Sequence, residues 1–337
     1  MVIRKPVRAI ICNQMGDSSL LEIGEINSPD LASDEVRVRV RRAGVNFPDT
    51  LMIKGQYQLK PPLPFAPGFE VAGEIIEVGE DAGEWRPGER VMGLTSSGYG
   101  AFAEEATIRR QAVVSVPDGF DLSKAMALLT PYGTSYHALV QRGGLQPGEQ
   151  LVVLGASGSV GLAAIEIGKA LGARVIAVGR SEERLKLAAA KGADVLLSYE
   201  DPGFKQNILS ATNGKGADVC LDTLGGKAFD TMSRAMNWNG RLLVVGFTSG
   251  TIPTLSINLV LLKGYQLVGV WWSEFINRMP AANQANFEAL FQLYADGKID
   301  PHIAGSFPLS GVPEALDQLL DRTTAGKLII NLDDSCG

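Results

Sequence analysis

Leu151-Val-Val-Leu-Gly155-Ala-Ser157-Gly158-Ser159-Val160-Gly161, running on into Leu162-Ala-Ala-Ile-Glu-Ile-Gly-Lys-Ala-Leu171, is the stretch that decides the fold. Four apolar residues, Leu151 to Leu154, predict a short strand buried on both faces. Glycines then recur at every third position, and from Val160 onward the apolar spacing turns helical. A strand that turns sharply into a helix leaves the helix's first N–H groups unpaired. Together with the helix dipole they make a site for a pyrophosphate. Glycine is needed because a Cβ would hold the phosphates off the backbone and the helix off the strand. By itself G-x-x-G-x-x-G also fits an ordinary glycine turn between strand and helix, so the surrounding chain has to decide.

Outward from the turn, apolar runs fall at 151–154, 174–178, 194–198, 218–221, 242–245 and 267–271, separated by helical or loop-like segments. Six runs in this rhythm predict a doubly wound parallel sheet whose first crossover carries the glycine turn. Ser181-Glu-Glu-Arg reads as a helix start, a serine cap followed by early acids.

The first third reads differently. Glu35-Val-Arg-Val-Arg-Val-Arg41 alternates strictly and places Val36, Val38 and Val40 on one face of a half-buried strand. Residues 70–79 and 89–94 are further strands, with Pro87-Gly88 as the turn before the second. Short strands with irregular turns suggest a partly open barrel. Between them lie Val45-Asn-Phe-Pro-Asp-Thr-Leu-Met-Ile-Lys-Gly-Gln-Tyr57 and the proline-rich 61–67, a long stiffened loop suited to binding. Beyond residue 273 the chain predicts helices at 286–296 and 313–322, a loop through Pro301-His302, and a closing strand at 327–332.

The chain has 337 residues, above the size at which single cores stop growing, so two domains are expected. With 45% hydrophobic and 20% charged residues it has the composition of a soluble globular protein. A net charge of −6 without acidic or basic blocks argues against nucleic acid and anionic membranes as partners. No apolar run approaches a membrane span, and Met1-Val-Ile-Arg-Lys-Pro-Val-Arg lacks a signal-peptide core. Cys12, Cys220 and Cys336 are too few and scattered for a disulfide framework or thiolate zinc site, and a cytoplasmic setting is expected.

An NAD site places Asp or Glu at the end of the second strand, about 20 residues beyond the turn. Here Arg174-Val-Ile-Ala-Val178 runs into Gly179-Arg180-Ser181, and Arg184 follows in the next helical turn. A guanidinium suits a 2′-phosphate that a carboxylate would repel, which argues for NADPH. The alternative is that both arginines are simply solvated.

Over nearly its full length the sequence resembles the zinc-free quinone oxidoreductases of the medium-chain dehydrogenase/reductase superfamily. The matching elements are Val45-Asn-Phe-Pro-Asp49, Gly55-Gln-Tyr57, Pro64-Phe-Ala-Pro-Gly68-Phe-Glu70-Val-Ala-Gly73 and Gly100-Ala-Phe-Ala-Glu104. Thr134-Ser-Tyr-His-Ala138, the glycine turn, Asp222-Thr-Leu-Gly-Gly226, Gly240-Arg-Leu-Leu-Val-Val-Gly246-Phe and Lys327 continue the match. The resemblance implies an α/β protein: a GroES-like, partly open β-barrel domain at 1–125 and 274–337, and a Rossmann NADPH-binding domain at 126–273. It also implies a homodimer through the sheet's edge strand, here 266–271. It puts Asn46 and Thr134 near the nicotinamide, and Gly179, Arg184 and Tyr199 around the 2′-phosphate; Arg180 and Ser181 between them are further candidate cofactor-binding residues. Many relatives have lysine where this chain has Arg184. Gly155, Ser157, Gly158, Ser159, Val160, Gly161, Gly246, Phe247, Gly269 and Val270 line the rest of the cofactor groove, and Lys327 joins the cofactor-binding set.

The zinc alcohol dehydrogenases have Cys where this chain has Asn46, and Gly-His-Glu where it has Gly68-Phe69-Glu70. Phenylalanine offers zinc no ligand and amide oxygen a poor one, and the cysteine-rich structural lobe is missing too, so metal-free chemistry is expected. Without a Lewis acid the natural acceptor is already electrophilic, a quinone or an enone, and the protein's task is alignment. Asn46, Tyr57 and Thr134 are the candidate catalytic residues, with Tyr57 the best protic group or else a satisfied structural tyrosine. Asp49 reads as a loop-fixing residue, His137 as a packed or surface residue. Trp271 and Trp272 either wall the substrate pocket or serve as core and dimer contacts. Three functions stand: reduction of quinones, reduction of α,β-unsaturated carbonyls or enoyl thioesters, and non-enzymatic NADPH binding of a crystallin-like kind.

Overall fold

The computed structural model describes residues 5–181, 183–321 and 324–333. Cys336, Arg322 at the end of the second predicted C-terminal helix, Glu182 in the predicted cap and the first four residues lie outside them.

Leu151 to Leu154 are wholly buried in strand Gln150–Leu154. That strand sits inside a six-stranded parallel sheet of order Val195–Ser198, Arg174–Gly179, Gln150–Leu154, Ala217–Asp222, Met236–Val244, Gln266–Gly269. All six apolar runs of the sequence are strands of this sheet. The order reverses beside Gln150–Leu154, which opens a crevice at the carboxyl ends of that strand and its neighbour Ala217–Asp222. Helix Ser159–Ala170 lies against the strand so closely that a Cβ on Gly168 would come within 2.5 Å of the Leu151 side chain.

The chain divides into two units: Met1–Thr130 with Ile276–Pro280 and His302–Gly337, and Pro131–Phe275 with Ala281–Pro301. In the first unit a seven-stranded sheet is built around Glu35–Val45. One edge of that long strand pairs with Glu70–Val78. Its other edge pairs first with Glu105–Arg109 and then with the C-terminal strand Lys327–Asn331. Val36, Val38 and Val40 are buried as the alternation requires, but Arg37 is buried too. Its guanidinium is taken in by Ser28, Glu77 and Glu105, so the face expected to meet water is covered there.

Two further features depart from the sequence reading. Strand Ile303–Pro308, parallel to Lys327–Asn331, falls where periodicity shows nothing, because its alternate positions are Ile303, Gly305 and Phe307 against Ala304, Ser306 and Pro308. Residues 281–301, placed with the barrel domain by the resemblance, belong to the second unit. Their attachments explain it: Asn283 accepts the Trp272 indole N–H at 3.1 Å, Asn286 accepts from Gln141 at 2.7 Å, and the Asp300 N–H reaches Glu166 at 3.1 Å. The predicted helices at 286–296 and 313–322 are Pro280–Ala295 and Val312–Leu320.

Candidate functional site

In the second unit the turn after Gln150–Leu154 is built for close approach. Gly155 has φ +84°, and a Cβ on it would stand 2.2 Å from the Thr223 hydroxyl. A Cβ on Gly161 would stand 2.3 Å from the Gly155 carbonyl oxygen. These two glycines let the helix start directly above the strand's end. Gly158, the helix N-cap, is extended and exposed, and no side chain caps the first turn of Ser159–Ala170. The leading N–H groups, with Ser157, Ser159 and Val160 around them, therefore remain a cradle for an anion at the positive end of the dipole. Ser135 donates to the Val160 carbonyl at 2.8 Å, which ties the helix segment carrying Thr134 to this same turn.

The other carboxyl ends converge on the same crevice. Asp222 is buried with its Oδ1 accepting the Leu224 and Gly225 N–H groups at 2.8 and 3.0 Å, while its Oδ2 has no partner. Burial pushes this carboxyl up to about 6, against the pull of those two N–H groups. The Val245 and Gly246 N–H groups both reach the Asp222 carbonyl, and Phe247 follows beside Gly225. The Val270 N–H bonds the Val244 carbonyl at 3.0 Å, and Gly269 has open space where a Cβ would stand.

At the second strand's end, Gly179 pairs with Ser198, and the Gly179 carbonyl accepts the Tyr199 N–H at 3.0 Å. Arg180 is exposed, hydrogen-bonds the Tyr199 hydroxyl and lies 3.9 Å from Glu200. Arg184 rides on the turn Glu183–Leu185, whose Leu185 packs on Gly179. Gly179, Arg180, Ser181, Arg184 and Tyr199 are thus one neighbourhood, with a guanidinium where a dinucleotide site for NAD places a carboxylate.

In the first unit Asn46, Glu70 and Lys327 form a buried polar cluster. Asn46 stands before helix Phe47–Ile53, and its backbone N–H is held by Asp49 at 2.8 Å. Its Nδ2 donates to Glu70 Oε1 at 2.6 Å, and its Oδ1 accepts from the Lys327 ammonium at 2.6 Å. Lys327 also donates to the Val45 carbonyl at 3.1 Å and to Glu70, and Thr130 donates to the second Glu70 oxygen. Lys327 is 1% exposed, so it does not present its ammonium to a ligand in the manner the resemblance implies. Asp49 is fully buried with one oxygen unpartnered. Desolvation pushes its carboxyl up to about 8, despite the Asn46 N–H and the Lys327 charge. Tyr57 is half-buried, and burial and the Asp49 charge both raise its hydroxyl's pKa.

Glu70 and Thr130 are the members of this cluster that sequence reasoning gave no role. Glu70 stood inside a quoted motif, and a carboxylate amid apolar strand residues was the available signal. The two tryptophans separate: Trp272 is core, wedged against Gly133 and bonded to Asn283, whereas Trp271 is exposed. His137 is a packed residue, stacked on Phe275 at 4.0 Å.

Two domain families match this chain: "Alcohol dehydrogenase GroES-like domain" over residues 32–118 and "Zinc-binding dehydrogenase" over residues 159–289. A quinone oxidoreductase-like protein 2 homolog of Nematostella vectensis is 35% identical, over 97% of this chain and 90% of its own length. The human quinone oxidoreductase is 30% identical over 98% of this chain and 99% of its own. Among solved structures, a mycobacterial protein in complex with NADPH superposes with a TM-score of 0.89 at 27% identity, over 97% of this chain and all of its own. With the buried Asn46 cluster, the glycine cradle and these relatives together, the chain belongs to the medium-chain dehydrogenase/reductase superfamily as an oxidoreductase of the quinone oxidoreductase type.

Proposed function

We propose that this protein uses NADPH to reduce quinones without a metal ion. The observation that carries the reading is Arg180, exposed at the end of the second strand beside Tyr199 and the turn bearing Arg184. A cationic, water-facing fork at that register fits a 2′-phosphate and has no use for a bare ribose hydroxyl. The Ser159–Ala170 N-terminus fits the pyrophosphate, because the space above Gly158 is open. The family and the NADPH complex of the mycobacterial neighbour support the same cofactor.

The donor set of the first unit supports metal-free chemistry. Phe69 has no ligating atom, and the Glu70 carboxylate is already neutralised by an ammonium and filled by Asn46 and Thr130. A divalent cation there would be repelled by the Lys327 ammonium that already occupies the carboxylate. NADPH, when bound, supplies the hydride. The protein's share is to hold the acceptor in line, with Asn46, Thr134 and Tyr57 as the polar groups that orient it and meet charge developing on its oxygen. A quinone is suited to such a site because its own conjugation spreads that charge.

The sheet's last strand, Gln266–Gly269, is paired on one side only among the described residues. Leu261, Leu262, Leu267 and Trp271 are exposed around it. An open edge flanked by apolar side chains supports a homodimer formed by pairing two copies there. Among the described residues no helix is long and apolar enough to cross a membrane. Cys12 and Cys220 are free thiols, which supports a cytoplasmic setting.

Steady-state assays with NADPH and NADH against a panel of quinones and enones test the reading. It predicts turnover dominated by NADPH and quinones. Dominant turnover of enones or enoyl thioesters would move the substrate class, and NADPH binding without hydride transfer to any acceptor would leave a binding protein.

A further inference from the structure

The Lys327 ammonium has three hydrogens and meets three buried acceptors, the Val45 carbonyl, Asn46 Oδ1 and Glu70 Oε1. Nothing is left over for a phosphate or a substrate. Its other conspicuous property is what it does to Asn46. The ammonium takes the oxygen end of the Asn46 carboxamide, and Glu70 takes the nitrogen end at 2.6 Å. Turning the amide over would set its oxygen against a carboxylate and its NH2 against an ammonium. The ion pair therefore dictates one orientation by charge. Asp49 fixes the same residue's backbone N–H at 2.8 Å, so Asn46 is pinned at its backbone and at both ends of its side chain.

A fully buried ion pair is a poor source of net stability, since desolvation consumes most of its Coulomb attraction, and apolar replacements are often neutral. Here the pair is wrapped around Asn46, which retains some surface at 9% exposure, while both charged groups are sealed in. The second Asn46 Nδ2 hydrogen makes only a long hydrogen bond, to the Gly44 carbonyl at 3.4 Å. That hydrogen is the group the clamp aims.

We infer that Lys327 and Glu70 are positioning residues, which fix the Asn46 carboxamide in a single orientation and act on the reaction only through it. The inference rests on the reading above that Asn46 meets the reacting pair, and it takes Lys327 out of direct contact with the cofactor.

The test uses the full chain, its double variant Glu70→Gln/Lys327→Met, the single variant Asn46→Ala, and the triple combination. Removing both charges together avoids leaving one of them buried alone. In protein labelled with 15N-asparagine, the Asn46 side-chain amide is the pair of resonances that Asn46→Ala abolishes. Its hydrogen exchange should be at least about tenfold faster in the double variant, the loss expected for one charge-assisted bond. Equal exchange rates would overturn the clamp, whatever the protein's activity.

Kinetics then reads the consequence. The double variant should lower kcat about tenfold while NADPH affinity, measured by fluorescence titration, stays within about twofold. On the Asn46→Ala background the same exchange should change kcat by less than about twofold, because the residue it acts through is gone. An equal fall of kcat in both backgrounds, or a loss of NADPH affinity, would overturn the inference. A wild-type protein without NADPH-dependent turnover would instead refute the proposed function, and the exchange measurement would still decide the clamp.

Discussion

Gly158 and Gly161 sit three residues apart in one turn, and the structure assigns them different burdens. A Cβ on Gly161 would lie 2.3 Å from the Gly155 carbonyl oxygen and 2.8 Å from the Ala156 Cα, both backbone atoms that no side-chain rotation can move aside. Gly161→Ala therefore forces helix and turn apart. Overpacking of this kind costs about 1–3 kcal/mol, and the better helix propensity of alanine returns up to about 1. Because the clash is with backbone atoms, the cost falls at the upper end of that range, so the net loss is about 2 kcal/mol, or on the order of 4–8 °C in Tm for a unit of this size. A Cβ on Gly158, by contrast, would meet only the Gly155 carbonyl oxygen at 3.5 Å, an ordinary contact. Its φ of −78° and ψ of 163° suit alanine. Poorer capping and a less flexible unfolded chain oppose each other there, each below about 1 kcal/mol, so Gly158→Ala should keep its Tm. Yet its methyl would stand on the open face of the anion cradle. Thermal unfolding of the free protein and fluorescence titration with NADPH separate the two. Gly161→Ala should lose stability, and Gly158→Ala should lose NADPH affinity by about tenfold or more at unchanged Tm, the price of about one displaced phosphate hydrogen bond. Gly158→Ala with native affinity, or Gly161→Ala with native Tm, would refute the division of labour.

Replacing Arg180 and Arg184 by alanine should weaken NADPH at least about tenfold more than NADH, as loss of a charge-assisted phosphate contact requires; equal weakening would mean the arginines do not read the phosphate. Asp49 supplies a pH signature. With its folded-state pKa pushed up to about 8 from an ordinary 3.8, the folded protein holds between those values a proton that the unfolded chain has released. Stability should accordingly fall as pH rises through that window, by up to about 1.4 kcal/mol per unit, and Asp49→Asn should remove that part of the slope in urea titrations at pH 5 and pH 8. Parallel slopes for both proteins would exclude a protonated Asp49. Charged substitutions at Leu261 and Leu262 should give a monomer on sedimentation if the open edge pairs two copies, with the Tm of the second unit little changed because both side chains are exposed.

The parallel sheet was legible because its strands are buried on both faces, which leaves uninterrupted apolar runs such as Leu151 to Leu154. The glycine cradle was legible for a related reason, since close approach admits one residue type. What periodicity could not show is structure that depends on distant partners. Arg37 looks like the solvent side of an alternating strand, and only Ser28, Glu77 and Glu105 from elsewhere in the chain make its burial possible. Strand Ile303–Pro308 carries no pattern of its own, and pairing with Lys327–Asn331 supplies what the pattern lacks. The allegiance of 281–301 is set by Asn283, Asn286 and Asp300 finding partners in the second unit. Lys327 is the sharpest instance. Its number and type could be matched to a cofactor set, but its acceptors lie more than two hundred residues away in sequence, and they point it inward.

The same cluster shows how a chain can bury two charges beside an asparagine and remain folded. Each Glu70 oxygen is engaged, one by Asn46 and Lys327, the other by Thr130, so neither is left to bear the desolvation alone. Room for it comes from Gly44, where a Cβ would fall 2.0 Å from Glu70 Oε1. Gly44 is paired with Ile329 on the C-terminal strand that also starts with Lys327. The register that seats Lys327–Asn331 against Glu35–Val45 thus delivers the ammonium, the space for its carboxylate and the asparagine between them in a single act of strand pairing. A one-residue slip in that pairing would turn Lys327 to the opposite face and leave Glu70 buried without its cation. The charge network and the strand register consequently specify each other, and the orientation of Asn46 follows from both.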